Sequence, residues 1–181
     1  MNQEFVGDWE LDPTHSRIGF SARHAMVTKI RGAFNEVAGE VHIDQDGWEK
    51  CLAKIEVAVA SIDTRQPARD EHLKGEEFFD AASYPTITFI STDFQEDEED
   101  PSRFTVTGEL TMRGITRSIE IPLELLGISQ DPAGFSRAGF EGSRRINRKD
   151  WDVSWNANLD AGGVMISDKI SLEFELSLIR H

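Results

Sequence analysis

The chain has 181 residues, enough for one domain that buries a sizeable core without metals or disulfides. Its 39% hydrophobic and 29% charged residues describe a soluble globular protein. A net charge of −14 argues against a nucleic-acid partner and against docking on an anionic membrane through a polybasic patch, since both need clustered Lys and Arg.

Cys51 is the lone cysteine, so no internal disulfide can form. The start, MNQEFVGDWELD, has neither a basic n-region nor an apolar h-region. No apolar run approaches the roughly 18 residues of a spanning helix. The expectation is a cytoplasmic protein with no stable membrane insertion.

Residues 9–12 read as a short extended start, stopped by Pro13. Residues 16–23 alternate, with Ile18, Phe20 and Ala22 on one face, the period-two signal of a half-buried strand. Residues 31–44 form a long extended run whose apolar members are Phe34, Val37, Val41 and Ile43. Gly32 and Gly39 inside it predict bends or bulges where a sheet curls. Asp46-Gly47 is a hairpin-turn signal. Residues 52–60 return with Ile55, Val57 and Val59 on one face.

Residues 69–91 join two such runs and break the pattern. Residues 69–74 suit a short helix, within an insertion spanning about 67–80. Gly75 is expected to stop it by taking a positive φ. Phe78 and Phe79 follow as an apolar lid, and Pro85 biases Tyr84 towards an extended conformation. Strand chemistry resumes over 86–94, with Ile87 and Phe89 alternating against threonines. The carboxylates at 96–100 repel one another and mark an exposed hairpin tip. A calcium loop is the sharper alternative, but its interleaved glycine and spacing are missing.

Residues 104–112 are the clearest strand, with Phe104, Val106, Gly108, Leu110 and Met112 on one face. Arg113-Gly114 turns the chain. Ile119, Ile121, Leu123 and Leu125 form the next face, and 131–134 another turn. Residues 135–146 form a long curved strand. Residues 147–158 are irregular and rich in tryptophan, and Gly162-Gly163 is a hinge or turn. Ile170, Leu172, Phe174, Leu176 and Leu178 close the pattern.

Roughly eight strands joined mostly by short turns predict an all-β, antiparallel chain. Eight strands can close into a barrel holding one elongated ligand, although a two-layer sandwich gives a similar pattern. No internal repeat or linker is present, so 1–181 reads as one domain.

Few residues point to catalysis. His15, Ser16, His24, Asp70 and His72 contain the residue types of a hydrolase, but no nucleophile motif accompanies them. The simpler reading is that Asp12, His15 and Ser16 tie down the first strand. The histidines 15, 24, 42, 72 and 181 lack paired metal-ligand spacing. Arg69, Asp70 and His72 form either a polar gate for a ligand head group or an anchor for the helix. Arg144, Arg145, Arg148 and Lys149 are a basic cluster that would suit a pyrophosphate or an exposed hairpin. The aromatics Phe20, Phe34, Phe78, Phe79, Phe89, Phe104, Phe140, Trp151 and Phe174 fit a packed core or the wall of a tunnel.

The segments WELDPTHSRIGFSARH (9–24), RGAF (31–34), SIDT (61–64), RDEHLKGEEFFDAASYPTITFIS (69–91), GELTMRGITRSIEIPLEL (108–125), SRRINRKDW (143–151) and GGVMISDKISLEFEL (162–176) together resemble the YceI-like family. That family is known for polyisoprenoid binding in a lipocalin-like barrel. The resemblance implies an extended eight-stranded antiparallel barrel with an apolar tunnel, acting as a carrier or store for an isoprenoid-type or other long-chain lipid. It also implies a homodimer, with no other cofactor and no covalent chemistry. The strand faces and lid then supply the ligand wall: Phe20, Phe34, Val41 and Val57; Phe78, Phe79 and Phe89; Val106, Leu110, Ile119 and Leu123; Phe140, Trp151, Leu172 and Phe174. A hydrolase of lipid-like substrates and a filled-barrel, stress-related interaction protein are the alternatives. Two departures stand out. Many members are secreted, and many carry glycine where Asp152 follows Trp151 here.

Overall fold

A computed structural model describes residues 3–181. Its strands are β1 (Gly7–Leu11), β2 (Arg17–His24), β3 (Thr28–Phe34), β4 (Val37–Ile43), β5 (Leu52–Ala58) and β6 (Ile62–Asp63). After the helix α1 (Pro67–Lys74) come β7 (Thr86–Glu96), β8 (Arg103–Met112), β9 (Ile115–Gln130), β10 (Ser136–Asn147) and β11 (Lys169–Arg180).

All the pairings are antiparallel, and they close a ring in the order β1-β4-β5-β7-β8-β9-β10-β11 and back to β1. The three remaining strands extend this ring along its axis. The last residues of β11 pair with β1 (Leu11↔Leu178), and its earlier ones pair with β2 (Phe20↔Leu172). β1 and β2 are thus two halves of one interrupted strand. β3 and β4 relate in the same way, since β3 pairs with β2 and β4 with β1. β6 continues β5 beside β3. Eleven segments therefore build the eight-stranded barrel that the alternation predicts.

The interruption between β1 and β2 follows from Pro13, which has no N–H to give a ladder. Ser16 repairs the gap. Its Oγ accepts from the Ser177 N–H at 2.9 Å and donates to the Ser177 carbonyl at 3.3 Å. Asp12 accepts from His15 Nδ1 at 2.7 Å and from Arg137 Nη1 at 2.5 Å. These residues do tie down the first strand.

Several local expectations need correction. The run 31–44 breaks at Asn35–Glu36, not at its glycines. Gly32 instead makes room for an aromatic ring: a Cβ there would lie 2.4 Å from Cζ of Phe20, its cross-strand partner. Asp46-Gly47 belongs to a longer connection, 44–51, that includes a 3-10 turn at Trp48–Lys50. β5 ends at Ala58, and Val59 enters a second 3-10 turn. Gly75 stops α1 as expected but with φ −75° and ψ 173°, so no left-handed residue is used there.

β7 runs further than expected, to Glu96, because a bulge at Thr92 resets its phase. Ile87, Phe89 and Ser91 face inward before the bulge, and Phe94 faces inward after it. Without the extra residue Phe94 would face water. β9 pairs with β8 through its first part and with β10 through its last part. Pro122, which has no N–H to donate, sits at the changeover. Of the acidic stretch 96–100, Glu96 ends β7 and 97–100 lie in the β7–β8 hairpin tip.

Candidate functional site

Opposite walls of the ring do not meet. They enclose a cavity of about 420 Å³, within the roughly 300–1,000 Å³ of small-molecule sites. Fourteen of the expected ligand-wall residues lie on it. Phe20, Phe34, Val41 and Val57 come from β2 to β5, and Phe89, Val106, Leu110, Ile119, Leu123, Phe140, Leu172 and Phe174 from the later strands. Phe78 and Phe79 reach it from the segment after α1.

Trp151 is the exception. It is 2% exposed and is not on the cavity wall. Its indole N–H donates to the Leu110 carbonyl at 2.9 Å, which ties the ring to β8. A tryptophan with one polar atom is cheap to bury when that atom finds an acceptor.

One end of the cavity is an aromatic floor. Trp48 stacks on Phe94 with ring centres 6.2 Å apart and meets the edge of Phe104 at 5.4 Å. Phe5 lies between Trp9 (5.5 Å) and Phe140 (5.3 Å). The other end lies where β2, α1 and the loop after Trp151 converge. There Phe34 bridges Phe20 (5.8 Å) and Phe79 (6.0 Å). His72, Phe78 and Trp155 form a three-ring cluster, with His72 4.9 Å from Phe78 and 4.8 Å from Trp155.

The residues 69–72 divide their roles. Arg69 donates from Nε to Thr64 Oγ1 at 2.7 Å and from Nη2 to the Thr64 carbonyl at 2.8 Å. Asp70 accepts from the Thr64 N–H at 2.9 Å. Those bonds anchor α1 to the barrel. Arg69 and His72 also line the cavity, whereas Asp70 does not.

The basic cluster divides too. Arg144 and Arg145 are exposed, and Lys149 pairs with Asp168 at 3.2 Å. Arg148 is only 4% exposed and lines the cavity. Its guanidinium donates to the carbonyls of Val153 (2.6 Å), Trp155 (2.9 Å) and Ser167 (3.0 Å), fastening the loop that follows Trp151. Burial pushes its pKa below the ordinary arginine range, and Asp168 opposes that shift.

Trp155, Trp48 and Leu73 are wall residues that sequence reading left unassigned, and Arg148, read there as part of a basic cluster for a pyrophosphate or an exposed hairpin, is a fourth. The signal for Arg148 was its phase, two residues beyond the inward Ile146. Asp152, where the family resemblance led one to expect glycine, holds the left-handed conformation (φ 57°, ψ 22°) that glycine favours. Aspartate tolerates that region better than most residues.

The profile of the YceI-like domain matches residues 9–178. A UPF0312 protein of Photorhabdus laumondii is 33% identical over 143 residues, covering 79% of this chain and 73% of the relative. A UPF0312 protein of Staphylococcus aureus is 30% identical over 167 residues, covering 92% and 94%. Among solved structures, Burkholderia cenocepacia BcnA superposes with a TM-score of 0.77 at 24% identity, over 92% of this chain and 98% of that one. A polyisoprenoid binding domain from Saccharophagus degradans, implicated in plant cell wall breakdown, superposes with a TM-score of 0.70 at 18% identity, over 94% and 97%. The closed ring, the insertion between β6 and β7 and the match along nearly the whole length agree: the chain belongs to the YceI-like family.

Proposed function

We propose that the protein binds a long apolar ligand of isoprenoid type in its barrel, and carries or stores it without covalent chemistry. The observation that carries this reading is the cavity itself. It is lined by hydrocarbon from the aromatic floor to α1, with polar groups gathered at one end. Each ligand methylene buried there contributes about 0.8 kcal/mol. A tail of some ten carbons then offsets the cost of association with little polar recognition, which permits loose specificity. A filled-barrel interaction protein has no use for such a void.

The hydrolase alternative loses its parts. His15 and Ser16 are engaged with Asp12 and the Ser177 backbone, and neither lines the cavity. His72 is bonded to Glu77 and has no serine or cysteine partner among the described residues.

Solvent extraction of the freshly purified native protein, followed by mass spectrometry, tests the reading. The expected result is a stoichiometric polyprenyl, quinone or similar amphiphile. An empty extract, together with no shift in melting temperature on adding farnesol or a longer polyprenol, would sink it. Cytoplasmic residence and a homodimer complete the proposal. Cell fractionation and light scattering of the eluted protein check them.

A further inference from the structure

We propose that the β2–β3 hairpin is a docking surface for an anionic lipid bilayer. Met26 and Val27 enter the interface, and a band of cations behind them meets the lipid phosphates. The surface lies on the outside of the barrel, so it stands or falls independently of the binding function proposed above.

The hairpin tip is unusual in what it exposes. Val27 is 76% and Met26 63% exposed, the two highest values for large hydrophobic side chains among the described residues. Ala25 and Met26 both hold left-handed backbone (φ 48° and 64°), a conformation that glycine or asparagine adopts at less cost. Strain of this kind points to a role for the side chains that endure it. The tip stands on a fixed base. The Ala25 N–H donates to the Met165 carbonyl at 2.8 Å, the Arg23 N–H to Ser167 Oγ at 2.9 Å, and the Ser167 N–H to the Arg23 carbonyl at 3.0 Å. Met26 lays its sulfur against Gly163, where an added Cβ would clash.

Behind the tip, strand register gathers positive charge that the sequence disperses. Arg145, Ser171, Ser21 and Arg31 lie opposite one another across β10, β11, β2 and β3. Two residues nearer the tip, on the same face, come Asn147, Lys169, Arg23 and Lys29. These rows hold five cations, all exposed, and no carboxylate. No ion pair engages the five among the described residues.

Most carboxylates around this face are committed. Glu173 is held by Arg17 at 3.1 Å, and Asp168 pairs with Lys149. On the α1 side, Glu71 pairs with Lys74 and Glu77 with His72. Asp160 sits in the 159–163 turn that Met26 touches, one acid against five cations.

The chain as a whole repels an anionic surface, with 33 acidic against 19 basic residues. Salt screens that repulsion beyond about 8 Å, so a bilayer at the tip meets the local rows. Apolar side chains backed by Lys and Arg suit a segment seated at an anionic interface. A nucleic acid would use the cations and leave Met26 and Val27 in water. Arg23 and His24 also border the cavity, so docking here brings the α1 end of the barrel against the membrane.

Co-flotation of the full-length protein with vesicles tests this, using phosphatidylcholine alone and phosphatidylcholine with about one-third phosphatidylglycerol. At low salt the anionic vesicles should bind about tenfold or more tighter than the neutral ones, and the advantage should shrink as salt rises. Met26→Asn with Val27→Ser keeps a residue that tolerates the left-handed position and should weaken binding about tenfold. Lys29→Gln with Arg31→Gln should weaken it by a similar factor. Lys50→Gln with Lys54→Gln removes the same charge elsewhere and should leave binding unchanged. Absence of flotation with anionic vesicles at low salt would overturn the proposal. So would an equal loss in the Lys50 and Lys54 variant, which would make net charge the cause. Retention on heparin without flotation would also overturn it, and would assign the two rows to another polyanion.

Discussion

Arg113 donates from Nη1 to the backbone carbonyl of Phe78, joining the β8–β9 turn to the segment that places two phenylalanines on the cavity. The same nitrogen donates to the Glu76 carbonyl at 2.7 Å. Arg113 itself has φ 49° in a two-residue turn with Gly114, the left-handed pair that lets twisted strands join tightly. Local turn chemistry thus aims the side chain that holds the lid.

Arg113→Ala should free that segment. The expected loss is about 1.5–3 kcal/mol in urea unfolding, the worth of hydrogen bonds from a charged donor. Amide exchange at residues 76–80 should speed up selectively. Uniform protection across the barrel and lid would contradict this role.

Val106 lies on the cavity wall and is buried. In a filled core, Val106→Phe would cost about 1–3 kcal/mol through overpacking. In this hollow barrel the added ring has space, so stability should change by less than about 1 kcal/mol. Affinity for a bound polyprenol should fall in the same variant. Calorimetry and a binding titration on one preparation check both halves.

Acid stability should carry the mark of Asp12. Burial alone would raise its pKa, but hydrogen bonds from Arg137, His15 and the Thr14 N–H outweigh it and bring the value to about 2. That lies below the unfolded value of about 3.9. Its stabilisation is therefore full above the unfolded pKa and is lost as pH falls towards the folded one. The loss between about pH 5 and pH 2 should be about 2 kcal/mol. Asp12→Asn should be less stable at neutral pH and should lack this part of the acid limb in pH-dependent unfolding.

Asp152→Gly puts a residue with no Cβ at a left-handed position. The Asp152 carboxylate lies 3.8 Å from Arg113 and is exposed, so little attraction is lost. Relief of backbone strain and greater freedom of the unfolded chain oppose each other. The net change should stay within about 1 kcal/mol, with cavity binding unaffected. A larger loss would give the Arg113 contact a weight that surface pairs rarely carry.

Strand chemistry was legible from the sequence because it is local. Alternation over 104–112 and 170–178 states which side of each strand is buried, and β8 and β11 bear those faces in the barrel. The lid was legible for the same reason: Gly75, the Phe78-Phe79 pair and Pro85 are incompatible with a continuous strand. Nearly every aromatic assigned to the interior by its phase lies on the cavity.

Whether those faces meet across the barrel is a different matter. It depends on strand number, tilt and stagger, which are set by pairings between residues far apart in the chain. Leu11↔Leu178 and Phe20↔Leu172 put two halves of an interrupted strand on one partner, and they decide the length of the ring. Arg148 shows the same division. In the sequence it belonged to a basic run that suited either a pyrophosphate or an exposed hairpin. Only the folded loop supplies the carbonyls of Val153, Trp155 and Ser167 that make its burial possible. Alternation determined what faces inward. Closure of the ring decided that the interior is hollow, because the walls are held apart by their own backbone pairing and the side chains are too short to span the gap.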